Sequence, residues 1–367
     1  MLIVDAHQDL AWNMLTYGRD YTLSAAETRR REVGTIEIKY KEDTLLGYPD
    51  YQRGQVAVVF ATLFVAPERR RMADWETMCY RDFEEAHRLY RRQLEAYQRL
   101  ADEHADRFRL LQTRSQLDSL LDGWQQPNPN PTDGQEQPVG LVVLMEGAEG
   151  VREPAELDVW WQGGVRLIGP AWTGTRYCGG TNEPGPLTKE GFALLEAMAE
   201  FGFTLDLSHM DETAALHALD FYPGPVVATH SNARGLLKGE DSNRHLSDRV
   251  IQRLLERDGV IGIVPFNSFL LPGWKQGDHR EDVTLQHIVA HIDYVCQMAG
   301  DAQHAGLGTD FDGGFGWQSV PSGIDTIADL QKLVPLLAEK GYSELDSAAI
   351  LGQNWLNHLR QVLPGGL

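Results

Sequence analysis

Eight short apolar segments are spaced along the chain, and segments with helical periodicity separate most of them. The apolar segments are rich in Val, Ile and Leu and do not alternate with polar residues, which is typical of strands buried on both faces of a parallel sheet. They span residues 2–6, 55–65, 139–146, 165–172, 203–209, 225–230, 260–266 and 305–310. This pattern predicts an α/β protein with the (β/α)8, or TIM barrel, fold. A doubly wound open sheet is the main alternative.

Several intervening segments carry residues that start and stop helices. Segments 188–202 and 284–300 each begin with Thr and end with Gly, and segment 247–259 begins with Ser and ends with Gly. We expect a helix over each of them. Segment 326–341 also begins with Thr and ends with Gly, and Pro335 within it predicts a kink in the helix.

Neither an internal repeat nor a convincing linker divides the sequence, so residues 1–367 are expected to form a single barrel domain. Apolar residues spaced three and four apart over about 69–108 predict one long amphipathic helix. Residues 123–138 are rich in Pro, Asn and Gln and predict a mobile surface loop before the third strand.

Charge and cysteine content exclude several classes of partner. The formal net charge of -20 disfavours nucleic acid and anionic membranes, and no apolar run of about 20 residues predicts a membrane span. The three cysteines, Cys79, Cys178 and Cys296, are widely spaced, which predicts neither disulfides nor a cysteine zinc site. The polar motif that begins at residue 5 leaves no room for a secretory leader, so we expect a cytoplasmic protein.

Histidines and carboxylates follow five of the eight predicted strands. In barrels of this type the carboxyl ends of the strands form one face, which carries the active site. We therefore expect these side chains to meet at one mouth. They are His7, Asp9, Glu146, His209, His230 and Asp310.

Imidazoles and carboxylates are the ligand set of zinc and similar cations, and one ion would be over-supplied. Two metals bridged by Glu146 fit the ligand count better. Taken singly, Asp9 also reads as a helix N-cap and His230 as part of a cap with Ser231. Polar residues at five strand ends would nevertheless be destabilising if nothing compensated them, which favours a metal site.

Six motifs, in order, carry a family resemblance: "DAHQDL", "LMEG", "DLSHM", "THSNAR", "NRHLSD" and "GTDFDG". From residue 4 to about 357 the chain resembles the membrane dipeptidase (renal dipeptidase) family, the M19 metallopeptidases. Members are (β/α)8 barrels with a two-zinc centre that hydrolyse dipeptides. Some accept D-residues at the C-terminal position, and some open β-lactam rings.

The resemblance assigns roles to individual residues. It implies five zinc ligands, with one pair on the first ion, one bridging carboxylate and one pair on the second ion: His7 and Asp9, Glu146, His209 and His230. Arg244 matches the arginine that binds the terminal carboxylate of the substrate, a task suited to a bidentate guanidinium. Asp310 matches the acid/base carboxylate. For Asp312 we expect packing or a supporting hydrogen bond.

One position departs from the family pattern. The fourth strand of members usually ends in a histidine that contacts the substrate and stabilises the developing oxyanion, and Trp172 stands there in this chain. Indole donates one hydrogen bond but carries no positive charge. Arg176 and Tyr177 are close in sequence, and we expect them to supply the missing donor.

The resemblance thus implies hydrolysis of a dipeptide-like substrate by a hydroxide that bridges two Zn²⁺ ions, with Asp310 moving the proton to the leaving amine. Other divalent transition metals are compatible with the ligand set, and barrels of this type commonly form homodimers. Two alternatives stay open. One is a barrel amidohydrolase that acts on a non-peptide amide or ester, and the other is a catalytically weakened, ligand-binding member in which Trp172 replaces the family histidine.

Overall fold

The computed structural model describes residues 1–125, 136–239 and 241–366, and each of the eight apolar segments forms a strand in it. The strands are parallel to their neighbours. They are β1 (Ile3–Gln8), β2 (Val56–Phe64), β3 (Val139–Glu146), β4 (Val165–Gly169), β5 (Thr204–Asp206), β6 (Val226–Val227), β7 (Ile261–Ile263) and β8 (Ala305–Leu307). Several are shorter than their apolar segments, because pairing ends before the polar residues that follow.

The sheet curls into a nearly closed barrel. Its strand order is β6-β5-β4-β3-β2-β1-β8-β7, so the first and last strands of the chain are neighbours. A parallel bridge between Ala228 and Ile261 joins the two ends of this order. The Ala228 amide donates to Val260 at 3.0 Å, and the Gly262 amide donates to Ala228 at 2.8 Å. The predicted (β/α)8 barrel is therefore confirmed, and the open sheet is not the fold.

Among the described residues, five further short strands lie outside the ring of eight. Phe108–Leu110 pairs in parallel with the start of β3, and the others form two small sheets, Ala66–Pro67 with Cys79–Tyr80 and Cys178–Gly180 with Glu183–Leu187. None was predicted. Four of them have only two or three residues, too few to carry a pattern, and Glu183–Leu187 has the sequence EPGPL, whose Pro and Gly residues are not typical of strands.

Helices surround the barrel. The α-helices are Leu10–Tyr17, Ala25–Glu32, Ile36–Lys41, Tyr48–Gly54, Phe83–Glu103, Arg114–Gln125, Leu157–Gln162, Lys189–Phe201, Glu212–Phe221, Asp248–Leu255, Asn267–Leu270, Leu285–Ala299, Leu333–Lys340, Glu344–Ala348 and Asn354–Val362. Ala349–Gln353 is a π-helical turn within the C-terminal helical segment. The 3₁₀ turns are Glu68–Arg70, Pro154–Glu156, Arg234–Leu236, Arg280–Asp282, Trp317–Ser319 and Ile327–Lys332. In the part of the chain that the structure describes, no helix has the length and apolar character needed to cross a membrane.

The long helix is shorter than predicted at both ends. It spans Phe83–Glu103 rather than 69–108, and its N-cap is Asp82, whose carboxylate accepts the Glu85 amide at 2.8 Å. The cap fixes the start, so residues 69–82 fold separately into turns and a short strand. The apolar periodicity continued across this boundary only because residues on both sides face the same core.

Helix caps explain the other boundaries. Thr188 caps Lys189–Phe201, and Gly202 ends it in the left-handed conformation at φ 81°, as predicted. The segment that contains Pro335 divides instead of kinking. A 3₁₀ turn ends at Lys332 and the α-helix begins at Leu333, so Pro335 falls in a first turn, where no amide donor is required.

Two other expectations meet the structure only in part. The helix within 247–259 starts after Ser247 as predicted, but it ends at Leu255 rather than at Gly259. The predicted loop over 123–138 begins inside the helix Arg114–Gln125, and its residues 126–135 lie outside the described residues.

The pleat of β1 shows how the strands present their side chains. Val4 and Ala6 belong to one buried cluster with Phe60 of β2 and Val142 and Leu144 of β3. Val142 and Leu144 lie on the face of β3 that carries Glu146, so this cluster fills the barrel interior. Asp5 pairs with Val59 of β2 on the other face, and an irregular register between Asp5 and Gln8 lets His7 reach the mouth of the barrel. Asp5 and His7 are both completely buried.

Candidate active site

The polar residues of the strand ends converge at one mouth of the barrel. His7 lies within β1 and Asp9 follows it, while Glu146 is the last residue of β3. The other three each lie three residues beyond the end of a strand: His209 after β5, His230 after β6 and Asp310 after β8.

Two of these residues hold unusual backbone conformations. His209 has φ 66° and Asp310 has φ 56°, in the left-handed region that non-glycine residues rarely adopt. Each such conformation costs on the order of 1 kcal/mol, and such residues cluster at functional sites. The turn after each strand therefore directs the side chain to the mouth at a measurable cost in stability.

Glu146 lies between two groups of ligand-type side chains. Its Oε1 is 3.1 Å from the Nε2 atoms of both His209 and His230. Its Oε2 is 3.9 Å from His7 Nε2, which in turn is 3.8 Å from the carboxylates of Asp9 and Asp310. Each oxygen of one carboxylate thus faces a different group, as a carboxylate that bridges two cations would.

The donor atoms of this cluster are buried, and many have no hydrogen-bond partner among the described residues. They are both ring nitrogens of His7, Asp9 Oδ1, Glu146 Oε1 and His230 Nε2. Buried polar atoms are costly unless they are satisfied. Two sets of three possible ligands each lie within 4.8 Å of one another, namely His7, Glu146 and His230, and His7, Asp9 and Asp310. The residues therefore fit a pair of cations.

Asp9 does not cap the helix that it precedes. It occupies the N-cap position of Leu10–Tyr17, but its side chain makes no capping hydrogen bond. The simpler explanation of its presence as an N-cap therefore fails, and its carboxylate remains available at the mouth.

Two threonines orient His209 and His230. Thr181 Oγ1 lies 2.9 Å from His209 Nδ1, and Thr229 Oγ1 lies 2.9 Å from His230 Nδ1. Thr229 gives its one hydroxyl proton to Asp206, so His230 Nδ1 must donate to Thr229 and its Nε2 keeps a free lone pair. These partners were not predicted, although Asp206 within the apolar run "FTLDLSH" was a visible signal.

The charges of the cluster oppose one another strongly. Burial disfavours a charged His7, but the carboxylates of Glu146, Asp9 and Asp310 outweigh it and raise the pKa of His7 to about 10. Burial raises the pKa of Glu146 well above its usual range. Burial also lowers the pKa of both His209 and His230, which keeps these imidazoles neutral, the form that binds metals.

Asp310 is joined to β1 by the backbone and is suited to exchange a proton. Its amide donates to the His7 carbonyl at 3.1 Å. Burial raises the pKa of Asp310 to about 7, because it outweighs the attraction of His7. A pKa near neutrality is what a general acid/base requires.

Arg244 is 4% exposed, and hydrogen bonds to neighbouring residues fix its side chain. Its Nη1 donates to Ser231 Oγ at 3.1 Å and its Nη2 donates to the His230 carbonyl at 2.7 Å, while its guanidinium carbon lies 5.3 Å from the centre of the Phe269 ring. Its Nε has no partner among the described residues. The guanidinium is thus fixed in the wall of a pocket, beside the cluster of possible metal ligands.

A cavity of about 380 Å³ opens above the cluster. Asp9, Glu146, His209, Arg244 and Asp310 all line it. Much of the remaining wall is aromatic or apolar, from Phe64, Met72, Trp172, Phe266, Phe269 and Phe315. This mixture of apolar walls and a few convergent polar groups is typical of a small-molecule site.

Trp172 lies in the wall of the cavity, as expected for a residue that contacts the substrate. Its ring packs edge-on against Phe64 at 5.0 Å between centroids and lies 6.2 Å from the His209 ring. An indole therefore occupies the wall next to His209, one of the possible metal ligands.

The structure does not bring Arg176 and Tyr177 to the cavity. Neither lines this cavity. The Arg176 guanidinium donates to the carbonyls of Val151 and Arg152, and the Tyr177 hydroxyl donates to Val151. The chain turns away after Trp172, so nearness in sequence did not become nearness in space.

Asp312 supports the fold beside the site, in line with the expectation of packing or a hydrogen bond. It is 1% exposed and accepts hydrogen bonds from the Tyr21 hydroxyl at 3.0 Å and the Leu45 amide at 3.0 Å. Arg19 pairs with it at 3.1 Å. Its oxygens are therefore occupied away from the cavity.

Comparisons with known proteins identify the family of the chain and agree with its fold. The model of the membrane dipeptidase family, peptidase family M19, matches residues 1–363. An uncharacterized protein in the pqqA 5′ region of Klebsiella pneumoniae is 33% identical over 234 residues, which cover 61% of this chain and 82% of that protein. An uncharacterized dipeptidase of Schizosaccharomyces pombe is 30% identical over 224 residues, which cover 59% of this chain and 52% of that protein. A metallo peptidase from Rhodobacter sphaeroides, solved with a phosphinate mimic of the dipeptide L-Ala-D-Ala, has a similar fold over 99% of both chains, with a TM-score of 0.77 and 22% identity.

Proposed function

This chain belongs to the membrane dipeptidase family, whose members are metallo-dipeptidases, and from that premise we propose that it hydrolyses dipeptides with the help of two zinc ions. The substrate would be a small dipeptide, with L,D-dipeptides among the candidates. The Rhodobacter sphaeroides protein, which binds a mimic of L-Ala-D-Ala, supports that class of substrate.

The observation that carries the proposal is the position of Glu146. Its two oxygens face separate groups of buried ligand atoms, at 3.1 Å on the side of His209 and His230 and at 3.9 Å on the side of His7. We therefore assign His7 and Asp9 to one ion, His209 and His230 to the other, and Glu146 to both.

The proposed division of labour follows from the residues around the cavity. Bound zinc lowers the pKa of a coordinated water and polarises the carbonyl under attack. Asp310 accepts the proton of the attacking water and passes it to the leaving amine, a task that suits its pKa of about 7. Arg244 holds the terminal carboxylate of the dipeptide, because its guanidinium is fixed and still has a free Nε donor.

A combined metal and turnover experiment tests this proposal. Purified protein should contain about two zinc ions per chain and should cleave some members of a panel of L,L- and L,D-dipeptides, including L-Ala-D-Ala. Chelation should abolish turnover, and zinc should restore it. A metal-loaded protein that cleaves no dipeptide in the panel would contradict the proposal.

Trp172 favours one second candidate, a catalytically weakened member that binds a ligand. A bulky indole lines the cavity where a histidine is expected by resemblance. The same experiment separates the two candidates. Binding of a phosphinate dipeptide mimic without turnover of any dipeptide would support the second. A barrel amidohydrolase would instead cleave non-peptide amides or esters and leave the dipeptides intact.

A further inference from the structure

Lys41 is a buried lysine whose charged end opens into the cavity. It is the last residue of the helix Ile36–Lys41 and is 6% exposed. Its Nζ lies 4.4 Å from the centre of the Trp12 ring, and the residue lines the cavity beside Asp9 and Asp310. Lys41 was not predicted as a site residue, because a lysine in the polar segment "IEIKYKED" carries no signal of function.

The Lys41 ammonium has no ion-pair partner in the described part of the chain. The nearby carboxylates of Glu76, Asp9 and Asp310 act on it only at longer range, and together they partly offset the burial that lowers the pKa of Lys41. Each of them has another task. Glu76 accepts the Met72 amide at 2.7 Å, and we have assigned Asp9 to a metal ion and Asp310 to proton transfer.

Other charged residues near Lys41 are already paired. Its neighbour Glu42 accepts hydrogen bonds from Gly316 at 2.9 Å and Ser319 at 2.8 Å. Arg70, which also lines the cavity, pairs with Glu183 at 3.0 Å. Lys41 is therefore a cation of the cavity wall that is left for a ligand to satisfy.

A bound dipeptide offers one kind of group for this position. Its terminal carboxylate is assigned to Arg244, and its free amino group is positive and would be repelled by Lys41. A neutral side chain would cover the ammonium and remove its water without giving a partner, which is costly. A side-chain carboxylate would instead form a charge-assisted hydrogen bond.

We propose that Lys41 makes the cavity selective for dipeptides that carry a second carboxylate, as an aspartyl or glutamyl side chain does. This inference rests on the proposed dipeptidase function and adds its substrate class.

Matched pairs of substrates test the inference on the zinc-loaded full chain. Ala-Asp is compared with Ala-Asn and Asp-Ala with Asn-Ala, in L,L and L,D forms, because the members of each pair have nearly the same size and differ in whether one side chain ends in a carboxylate or an amide. We expect kcat/KM to be at least tenfold higher for the acidic member of one pair, mostly through KM. Lys41→Met, which keeps the apolar stem over Trp12, should reduce that ratio to about one. Lys39→Met, on an exposed lysine of the same helix, should leave the ratio unchanged.

The outcomes separate this inference from the function on which it rests. Turnover of the neutral dipeptides with no preference for the acidic ones would overturn the role of Lys41 and leave the dipeptidase proposal standing. So would an acidic preference that survives in Lys41→Met, since its cause would lie elsewhere. Failure to cleave any dipeptide would overturn both. The wild-type comparison keeps the inference falsifiable even if Lys41→Met does not fold, because the absence of an acidic preference overturns it.

Discussion

The hydrogen bonds from Asp206 through Thr229 to His230 allow a sharp test of the proposed metal centre. Substitution Thr229→Val keeps the size of the side chain and removes its hydroxyl. His230 Nδ1 then loses its acceptor at 2.9 Å, and Asp206 Oδ2 loses the Thr229 hydroxyl. The Thr229 amide still donates to Asp206 Oδ1 at 2.9 Å, so the backbone around β6 should stay in place.

The expected magnitude follows from these contacts. Losing a partner that orients a ligating histidine typically weakens metal binding by about 10- to 100-fold, which is about 1.4 to 2.8 kcal/mol. Only His230 is affected, so the loss should fall on one of the two ions. The other proposed ligand pair, His7 and Asp9, does not touch Thr229. Leaving two buried polar atoms without partners, at about 1 to 3 kcal/mol each, should also lower the free energy of unfolding of the metal-free protein by about 2 to 6 kcal/mol.

Competition with a chromophoric chelator at fixed pH would measure both zinc affinities, and denaturant unfolding of the metal-free protein would measure stability. Thr229→Val should bind one ion as the wild type does and the second more weakly. Thr229→Ser, which keeps the hydroxyl, is the matched control and should bind both. Two results would refute the assignment of His230 to one of the two ions. They are equal zinc affinities in the Val and Ser variants, and equal weakening of the binding of both ions in Thr229→Val.

Three further substitutions test the walls of the cavity. Trp172→His should raise kcat/KM for dipeptides if the indole replaces an oxyanion contact, since imidazole can carry positive charge; an unchanged or lower value in steady-state assays would count against that role. Arg244→Lys should raise KM at least tenfold with little change in kcat, because a lysine cannot form the bidentate fork, and dipeptide amides, which lack the carboxylate, should not show this increase. Arg176→Ala should keep kcat/KM within about twofold of the wild type but lower the melting temperature, since its contacts are to the Val151 and Arg152 carbonyls outside the cavity; a large loss of activity would restore the original expectation for Arg176.

The barrel and the convergence of its polar residues could be predicted because both depend on position along the chain. Parallel strands buried on both faces give continuous apolar runs, and their carboxyl ends meet at one face. His7, Glu146 and His230 therefore had to approach one another once eight strands were recognised. The boundaries were less predictable, as the helix Phe83–Glu103 illustrates, because a single cap residue outweighed the apolar periodicity.

Side-chain direction after a strand could not be predicted in the same way. Arg176 is four residues beyond Trp172, yet the chain between them turns, and the two side chains lie in different surroundings. The left-handed backbone at His209 also has no sequence signal, because non-glycine residues adopt it only where surrounding contacts compensate its cost. Lys41 was missed for a related reason, since its helix becomes part of the cavity wall only through tertiary packing.

One arrangement occurs twice around the barrel and accounts for much of the precision of the site. Thr309 donates its amide and hydroxyl to the two oxygens of Asp5, each at 2.6 Å, and this joins β8 to β1. Thr229 donates its amide and hydroxyl to the two oxygens of Asp206 in the same way, and this joins β6 to β5. In each case the next residue after the threonine, Asp310 or His230, points to the proposed centre. A buried aspartate on the neighbouring strand therefore fixes the backbone immediately before a functional side chain, and such bracing limits how far that side chain can drift when a substrate or an ion is exchanged.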